Sequence, residues 1–129
     1  MSDTLLIIED NEQNFYMMRF LLEKNGFHII GAENGRKGID MAIEHLPTAI
    51  LLDIQLPEMD GYAVARELKR NKALSRTPII AVTSYAMAGD REQILAAGAT
   101  GYIEKPIDPD TFVDQIIRYL PRRRDNQEA

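Results

Sequence analysis

The sequence contains no cysteine, which excludes disulfide scaffolds, cysteine-ligated zinc, iron–sulfur clusters and thiol nucleophiles. It has no apolar run near the ~20 residues that are needed to cross a bilayer. Residues 1–4 lack the basic and apolar regions of a signal peptide, and no Asn-X-Ser/Thr glycosylation site occurs. These absences predict a cytoplasmic protein that does not enter a membrane.

Positive charge is also in deficit. Lysine and arginine total 15 against 20 aspartate and glutamate residues, so the formal net charge is −5. An acidic chain is poorly suited to binding nucleic acid or an anionic membrane through bulk electrostatics, so we expect no direct contact with nucleic acid. The 129 residues, 45% hydrophobic and 27% charged, are typical of one folded globular domain.

Five short apolar runs recur along the chain without polar alternation, which is typical of strands covered on both faces. They are residues 5–8, 29–30, 49–52, 79–82 and 102–103. The segments between and after them carry apolar residues at helical spacing, and the last helix is predicted to begin with Asp108 as N-cap and Pro109 at its first position. This order predicts an α/β fold with a parallel sheet and helices on both faces.

Two Asn-Gly pairs, at 25–26 and 34–35, leave a second interpretation open, because Asn-Gly is also the sequence of tight hairpin turns. Helical stripes rather than alternating strands flank both pairs. The helical interpretation is therefore favoured, with 25–26 as the end of the first helix.

Charged and hydroxyl side chains follow the ends of four of the predicted strands. They are Glu9 and Asp10, Asp53, Thr83, and Lys105. The carboxyl ends of parallel strands meet at one rim, where ligands bind in doubly wound sheets. Converging carboxylates repel one another unless a cation is present, and Mg²⁺ prefers oxygen ligands. The set therefore suits phosphoryl transfer to a carboxylate nucleophile.

Each of these residues taken alone has an ordinary explanation. An acid after a strand is usually a helix N-cap or a surface charge, a threonine at a strand end reflects β-propensity, and a single lysine is usually solvated. The hypothesis depends on their joint occurrence at one rim.

Four segments then resemble the receiver domains of two-component response regulators, both single-domain regulators and the receivers of hybrid kinases. They are LLIIEDN (5–11), LLDIQLPEMDGY (51–62), PIIAVTSYAM (78–87) and GYIEKPID (101–108). The resemblance implies a flavodoxin-like, doubly wound (βα)5 fold with a five-stranded parallel sheet in the order 2-1-3-4-5. It assigns residues 1–120 to the receiver domain and 121–129 to a polar C-terminal tail.

The resemblance also implies a phosphoacceptor and a metal site. Asp53 would accept a phosphoryl group from a phosphohistidine on a sensor histidine kinase or a histidine phosphotransfer protein. Asp10, Asp53 and the backbone carbonyl of Gln55 would bind Mg²⁺, or Mn²⁺ in its place, and Glu9 would act mainly through a bound water. The protein would catalyse only its own phosphorylation and dephosphorylation.

A switch is implied by the same resemblance. Lys105 would pair with a phosphoryl oxygen, and its bond to Pro106 would be cis. Thr83 would bond to the phosphoryl group, and Tyr102 would turn into the space that Thr83 leaves. The face formed by the fourth helix, fifth strand and fifth helix would then control a downstream protein, with the chain a monomer or a weak dimer through that face.

Gln55 and Tyr85 lie two residues after the phosphoacceptor and the switch threonine. By resemblance, residues at these positions tune the access of water to the phosphorylated aspartate. The bulk of Tyr85 predicts slow autodephosphorylation.

Other functions fit the sequence less well. A flavodoxin-like cofactor site would place a phosphate against Glu9 and Asp10, which would repel it, and no G-x-G-x-x-G motif is present. An aspartyl phosphatase usually carries a second acid where Gln55 stands. A receiver-like interaction module that is never phosphorylated, or a receiver belonging to a longer regulator or hybrid kinase, remains an alternative.

Overall fold

Five β-strands alternate with five α-helices in residues 3–84 and 88–121, the ranges that this computed structural model describes. The strands are β1 (Thr4–Ile8), β2 (His28–Ala32), β3 (Ala49–Asp53), β4 (Ile79–Thr83) and β5 (Gly101–Glu104). The helices are α1 (Glu12–Lys24), α2 (Gly35–His45), α3 (Gly61–Arg70), α4 (Ala88–Ala96) and α5 (Phe112–Tyr119), with a 3₁₀ turn at Lys72–Leu74. None of the helices in these ranges is long and apolar enough to cross a bilayer. Of the predicted tail, only Pro121 lies within them.

The strands form one parallel sheet in the order β2-β1-β3-β4-β5, which confirms the predicted fold class and strand order. The last residues of neighbouring strands are close in register: Asp53 pairs with Val82, and Thr83 with Glu104. The carboxyl ends of the central strands therefore meet at one rim.

The apolar runs show no polar alternation because the sheet is covered on both faces. Along β1, Leu6 and Ile8 belong to a core shared with α2, α3 and α4, whereas Leu5 and Ile7 belong to a core shared with α1 and α5. All five residues of β3 are buried. A strand that is buried on both faces has apolar residues at every position, so its sequence is a continuous hydrophobic run.

The two Asn-Gly pairs lie at helix ends and not in hairpins. Asn25 is the C-cap of α1, and Gly26 follows it with a φ of +92°, a backbone conformation that glycine adopts without strain. Asn34 is the N-cap of α2, and its side chain accepts a hydrogen bond from the backbone of Lys37 at 2.9 Å. The helical interpretation of both pairs is confirmed.

The predicted start of the last helix was three residues early. The Asp108 carboxylate accepts the N–H of Asp110 at 2.9 Å, and the Asp108 carbonyl accepts the N–H groups of Thr111 and Phe112. These bonds close a turn over 109–111, and α5 begins only at Phe112. The capping chemistry of Asp108 was correctly identified, but it serves a turn that leads into the helix.

Candidate functional site

The sheet ladder continues past the strand ends and fixes the backbone of the rim. Glu9 donates its N–H to the carbonyl of Ala32 at 3.0 Å, and Lys105 donates its N–H to the carbonyl of Thr83 at 2.8 Å. These bonds keep Glu9, which follows β1, and Lys105, which follows β5, aligned with the neighbouring strands. The reactive side chains therefore project from a rigid edge rather than from free loops.

Three carboxylates and one ammonium group meet at this edge, as the sequence predicted. Carboxylate oxygens of Glu9, Asp10 and Asp53 all lie within 4.8 Å of one another. Glu9 and Asp53 are each 3% exposed, whereas Asp10 is exposed. The Lys105 Nζ atom lies 3.3 Å from Asp53 Oδ2 and 3.4 Å from Glu9 Oε1. The cluster is thus buried on the protein side and open to solvent at Asp10.

Burial and the neighbouring carboxylate change the pKa of Glu9. Burial, followed by the hydrogen bond with Asp53 and the charge of Asp53, raises the pKa of Glu9 to about 7, although Lys105 and the Asn11 N–H act in the opposite direction. The Asn11 N–H donates to Glu9 Oε2 at 3.2 Å. Glu9 Oε1 is buried and has no hydrogen bond among the described residues, with Lys105 its ion-pair partner.

These residues fit a hard divalent cation. Clustered carboxylate oxygens are the ligands that Mg²⁺ takes, and a solvent-facing side leaves room for the waters that it keeps. A buried carboxylate oxygen without a hydrogen-bond donor is an available ligand, and a cation would offset the repulsion that raises the Glu9 pKa.

The chain after Asp53 folds back against the strand end. Gly61 donates its N–H to the carbonyl of Ile54 at 3.0 Å. A Cβ atom at position 61 would overlap the Ile54 Cα and lie 2.9 Å from the carbonyl oxygen of Asp53. Only glycine permits this approach, so Gly61 fixes the distance between α3 and the Asp53 backbone. The sequence motif contained Gly61 but did not reveal this packing.

The same loop contains a tight turn at Glu58. Glu58 has a φ of +67°, and Met59 donates its N–H to the carbonyl of Pro57 at 2.6 Å. This is a γ-turn with positive φ, which is uncommon for a residue with a Cβ atom. The loop that follows Asp53 is therefore tightly folded on itself.

Gln55 connects this loop to the loop after β4. Its backbone N–H donates to Asp53 Oδ1 at 2.9 Å, and its side-chain Oε1 accepts the N–H of Ser84 at 3.2 Å. The sequence placed Gln55 beside the site but gave no signal for the second bond, because it joins residues that are 29 positions apart.

The two residues of the predicted switch lie on adjacent strands. Thr83 ends β4 and is 1% exposed, and Tyr102 is half-buried on β5. The guanidinium carbon of Arg91, on α4, lies 5.2 Å from the centre of the Tyr102 ring. The Lys105–Pro106 peptide bond is cis, as the resemblance implied. Tyr85 lies outside the described residues.

A groove opens on the solvent side of the cluster. It has a volume of about 770 Å³ and runs from Asp10 between α1 and the end of β2, past Phe15, Tyr16 and Gly31. Of the charged cluster, Glu9 and Asp10 line this groove.

Comparison with known proteins gives the family. The family model of the response regulator receiver domain matches residues 5–117. The polar-differentiation response regulator DivK of Brucella anthropi is 44% identical over 120 residues, which cover 93% of this chain and 98% of the relative. Its counterpart in Brucella ovis is 43% identical with the same coverage.

Solved structures agree with this result. The receiver domain of the sensor histidine kinase PA1611 from Pseudomonas aeruginosa, described with a magnesium ion coordinated in its active site cleft, is 32% identical with a TM-score of 0.85, covering 92% of this chain and 98% of that one. The Vibrio cholerae chemotaxis protein CheY4, 24% identical, shares the fold with a TM-score of 0.89 over 93% of this chain and 100% of its own. The chain therefore belongs to the response regulator receiver domain family.

Proposed function

We propose that the protein is a phosphoacceptor of a two-component phosphorelay and that Asp53 is the residue phosphorylated. The phosphoryl donor is a phosphohistidine on a sensor histidine kinase or a histidine phosphotransfer protein. The observation that carries this proposal is the contact of Asp53 Oδ2 with Lys105 Nζ at 3.3 Å, inside a cluster that also contains Glu9 and Asp10. An isolated surface aspartate would need neither the burial nor these partners.

The proposed reaction is a single displacement at phosphorus. An oxygen of the Asp53 carboxylate forms a bond to phosphorus while the bond between phosphorus and the donor imidazole nitrogen breaks. The imidazole keeps the electron pair and takes up a proton. The Lys105 ammonium group faces the developing negative charge, and the Thr83 hydroxyl offers a hydrogen bond to a phosphoryl oxygen. Positioning and charge neutralisation are the main contributions in phosphoryl transfer.

Magnesium is the proposed cofactor, with manganese as a substitute of similar ligand preference. Glu9, Asp10, Asp53 and the backbone carbonyl of Gln55 would hold it, Glu9 mainly through a water. When bound, the ion neutralises negative charge on the phosphoryl oxygens. The magnesium in the active site cleft of the PA1611 receiver supports this assignment.

The proposed output is a change at the face formed by α4, β5 and α5. Phosphorylation adds about −1.5 to −2 charge and three strong acceptor oxygens. Thr83 moves toward these oxygens and Tyr102 turns inward, which changes the surface beside Arg91. Exposed apolar side chains on this face, Leu95 and Ile117, suit contact with a protein partner or a weak dimer.

The proposal is tested by intact-mass measurement after incubation with Mg²⁺ and acetyl phosphate. A phosphoryl adduct is expected on the native protein and not on Asp53→Asn, with Asp40→Asn on α2 as a matched control that keeps the adduct. Absence of an adduct on the folded native protein refutes the proposal and favours an unphosphorylated interaction module. Turnover of an external phosphoester instead favours a phosphatase.

A further inference from the structure

The loops after β3 and β4 are joined across the site by one side chain, that of Gln55. We infer that Gln55 is a positioning residue: its Oε1 holds the Ser84 N–H in the unphosphorylated protein, and the phosphoryl group on Asp53 displaces it. This inference rests on the proposed function. It differs from a role in water access, because it concerns which acceptor holds a backbone N–H.

The Gln55 side of this contact is rigid. Gly61 is packed against Ile54 so closely that no Cβ fits between them, and the Gly61 N–H is bonded to the Ile54 carbonyl. The Gln55 N–H is bonded to Asp53 Oδ1 at 2.9 Å. The residue before Gln55 and the Gln55 N–H are thus both held in place, so its side chain acts as a tether from the Asp53 loop.

The Ser84 side belongs to the segment that leads toward α4. Val82 pairs with Asp53 in the sheet, so Ser84 lies two residues beyond the Asp53 partner, at the rim. Ser84 directly follows Thr83, whose carbonyl accepts the Lys105 N–H. Its N–H is therefore a backbone donor next to the hydroxyl that is proposed to bond to the phosphoryl group.

The two acceptors of this donor differ in charge. Gln55 offers a neutral amide oxygen at 3.2 Å, whereas a phosphoryl group offers anionic oxygens. Hydrogen bonds to ionised acceptors are about twice as strong as neutral ones. The phosphoryl group is therefore expected to take the Ser84 N–H, which releases the loop after β4 from the loop after β3. Phosphorylation would thus break one tether at Ser84 and form another.

The experiment follows the Ser84 amide by NMR in the uniformly ¹⁵N-labelled full chain. Native protein is compared with Gln55→Ala, and the exposed Gln93 on α4, changed to alanine, is the matched control. Hydrogen exchange of the Ser84 amide is measured in the free protein. Its chemical shift is then measured with and without Mg²⁺ and beryllium trifluoride, which mimics the phosphoryl group. Gln55→Asn, whose amide is one methylene shorter, is the second variant.

In the free protein, Gln55→Ala and Gln55→Asn should speed Ser84 exchange by about 2- to 10-fold, the range for one net hydrogen bond. Gln93→Ala should leave it unchanged. With the mimic bound, the Ser84 shifts of native and variant proteins should coincide, because the same acceptor then holds the donor in each. A purely structural role for Gln55 would not produce this convergence.

Unchanged exchange in both Gln55 variants would overturn the inference and leave the proposed function intact. A shift difference that persists in the mimic-bound state would also overturn it, since Gln55 would still hold Ser84. If the mimic does not bind the native protein at all, the inference and the proposed function are both overturned.

Discussion

Lys105 places its ammonium nitrogen 3.3 Å from Asp53 Oδ2, although Asp53 ends β3 and Lys105 follows β5, and these strands are not neighbours in the sheet. β4 lies between them, and the bond from the Lys105 N–H to the Thr83 carbonyl holds the lysine backbone against that strand. The side chain of Lys105 then spans the remaining distance to the Asp53 carboxylate. Three successive strands thus contribute to one charged contact.

Replacing Lys105 with methionine keeps the length of the side chain and removes its charge. We expect adduct formation from acetyl phosphate to slow by about 10²-fold, the cost of removing one preorganised electrostatic group. The initial rate is measured by intact mass, with the exposed Lys72→Met as control. An unchanged rate would show that the ammonium group takes no part in the reaction.

Gly61→Ala should destabilise the protein by about 1–3 kcal/mol, the usual cost of forcing extra atoms into a packed site. The new Cβ meets backbone atoms of Ile54 and Asp53, which cannot rotate away as a side chain can. Gly89→Ala on α4 is the control, because a Cβ there meets nothing within 4 Å. Urea unfolding of the three proteins decides the matter, and equal midpoints for both variants would contradict the argument.

Glu58→Gly should stabilise the protein by up to ~1 kcal/mol, because glycine adopts the positive φ of this position without a Cβ penalty. The Glu58 side chain is exposed, so little packing is lost. The same substitution at Glu92, exposed within α4, should instead cost about 1 kcal/mol. If both changes destabilise equally in thermal unfolding, the turn at Glu58 carries no strain.

Mg²⁺ should stabilise the folded protein by about 2.7 kcal/mol at a hundredfold excess over its dissociation constant. Asp10→Asn removes one proposed ligand, so it should weaken this effect, while the metal-free protein should become slightly more stable because one of three converging negative charges is lost. Thermal melting in EDTA and in graded Mg²⁺ separates the two effects. Asp40→Asn should behave as native protein, and an equal Mg²⁺ response in Asp10→Asn would remove Asp10 from the ligand set.

Metal-free stability should also depend on pH through Glu9. Its pKa is raised from 4.5 to about 7 on folding, so the folded state binds the proton more tightly than the unfolded state. The resulting stabilisation is fully present below pH 4.5 and is lost as the pH rises through 7, by at most about 1.4 kcal/mol per pH unit. Glu9→Gln does not titrate.

The difference in unfolding free energy between Glu9→Gln and native protein should therefore shift in favour of the variant between about pH 5 and about pH 8. Urea unfolding in EDTA measures it, and comparison of the two proteins cancels other titrating groups. A difference that does not change with pH would place the Glu9 carboxylate in a more solvated site than its burial indicates.

The strands and the residues at the rim could be predicted from the sequence because each leaves a local signal in it. Runs such as 49–52 are apolar throughout, and the polar residue that follows each run, such as Asp53, marks where the strand ends. The start of α5 was misjudged because Asp108 has the same capping chemistry in a turn as in a helix.

Contacts between distant segments were not predictable in this way. The Gln55–Ser84 bond and the fit of Gly61 against Ile54 depend on how separate loops meet, and no spacing pattern encodes that meeting. The raised pKa of Glu9 is similar, since it arises from burial beside Asp53 and not from the neighbours of Glu9 along the chain.

The hydrogen bonds that extend the sheet past its strands make the placement of the rim independent of the outer surface of the domain. They anchor Glu9 and Lys105 through backbone atoms, which substitutions of surface side chains leave in place. Tyr16, by contrast, lines the groove from α1 and is 70% exposed, so it contributes little to the core. A substitution at such a surface position leaves the backbone contacts of the rim intact, so the surface beside the groove and the placement of the rim side chains can be changed independently.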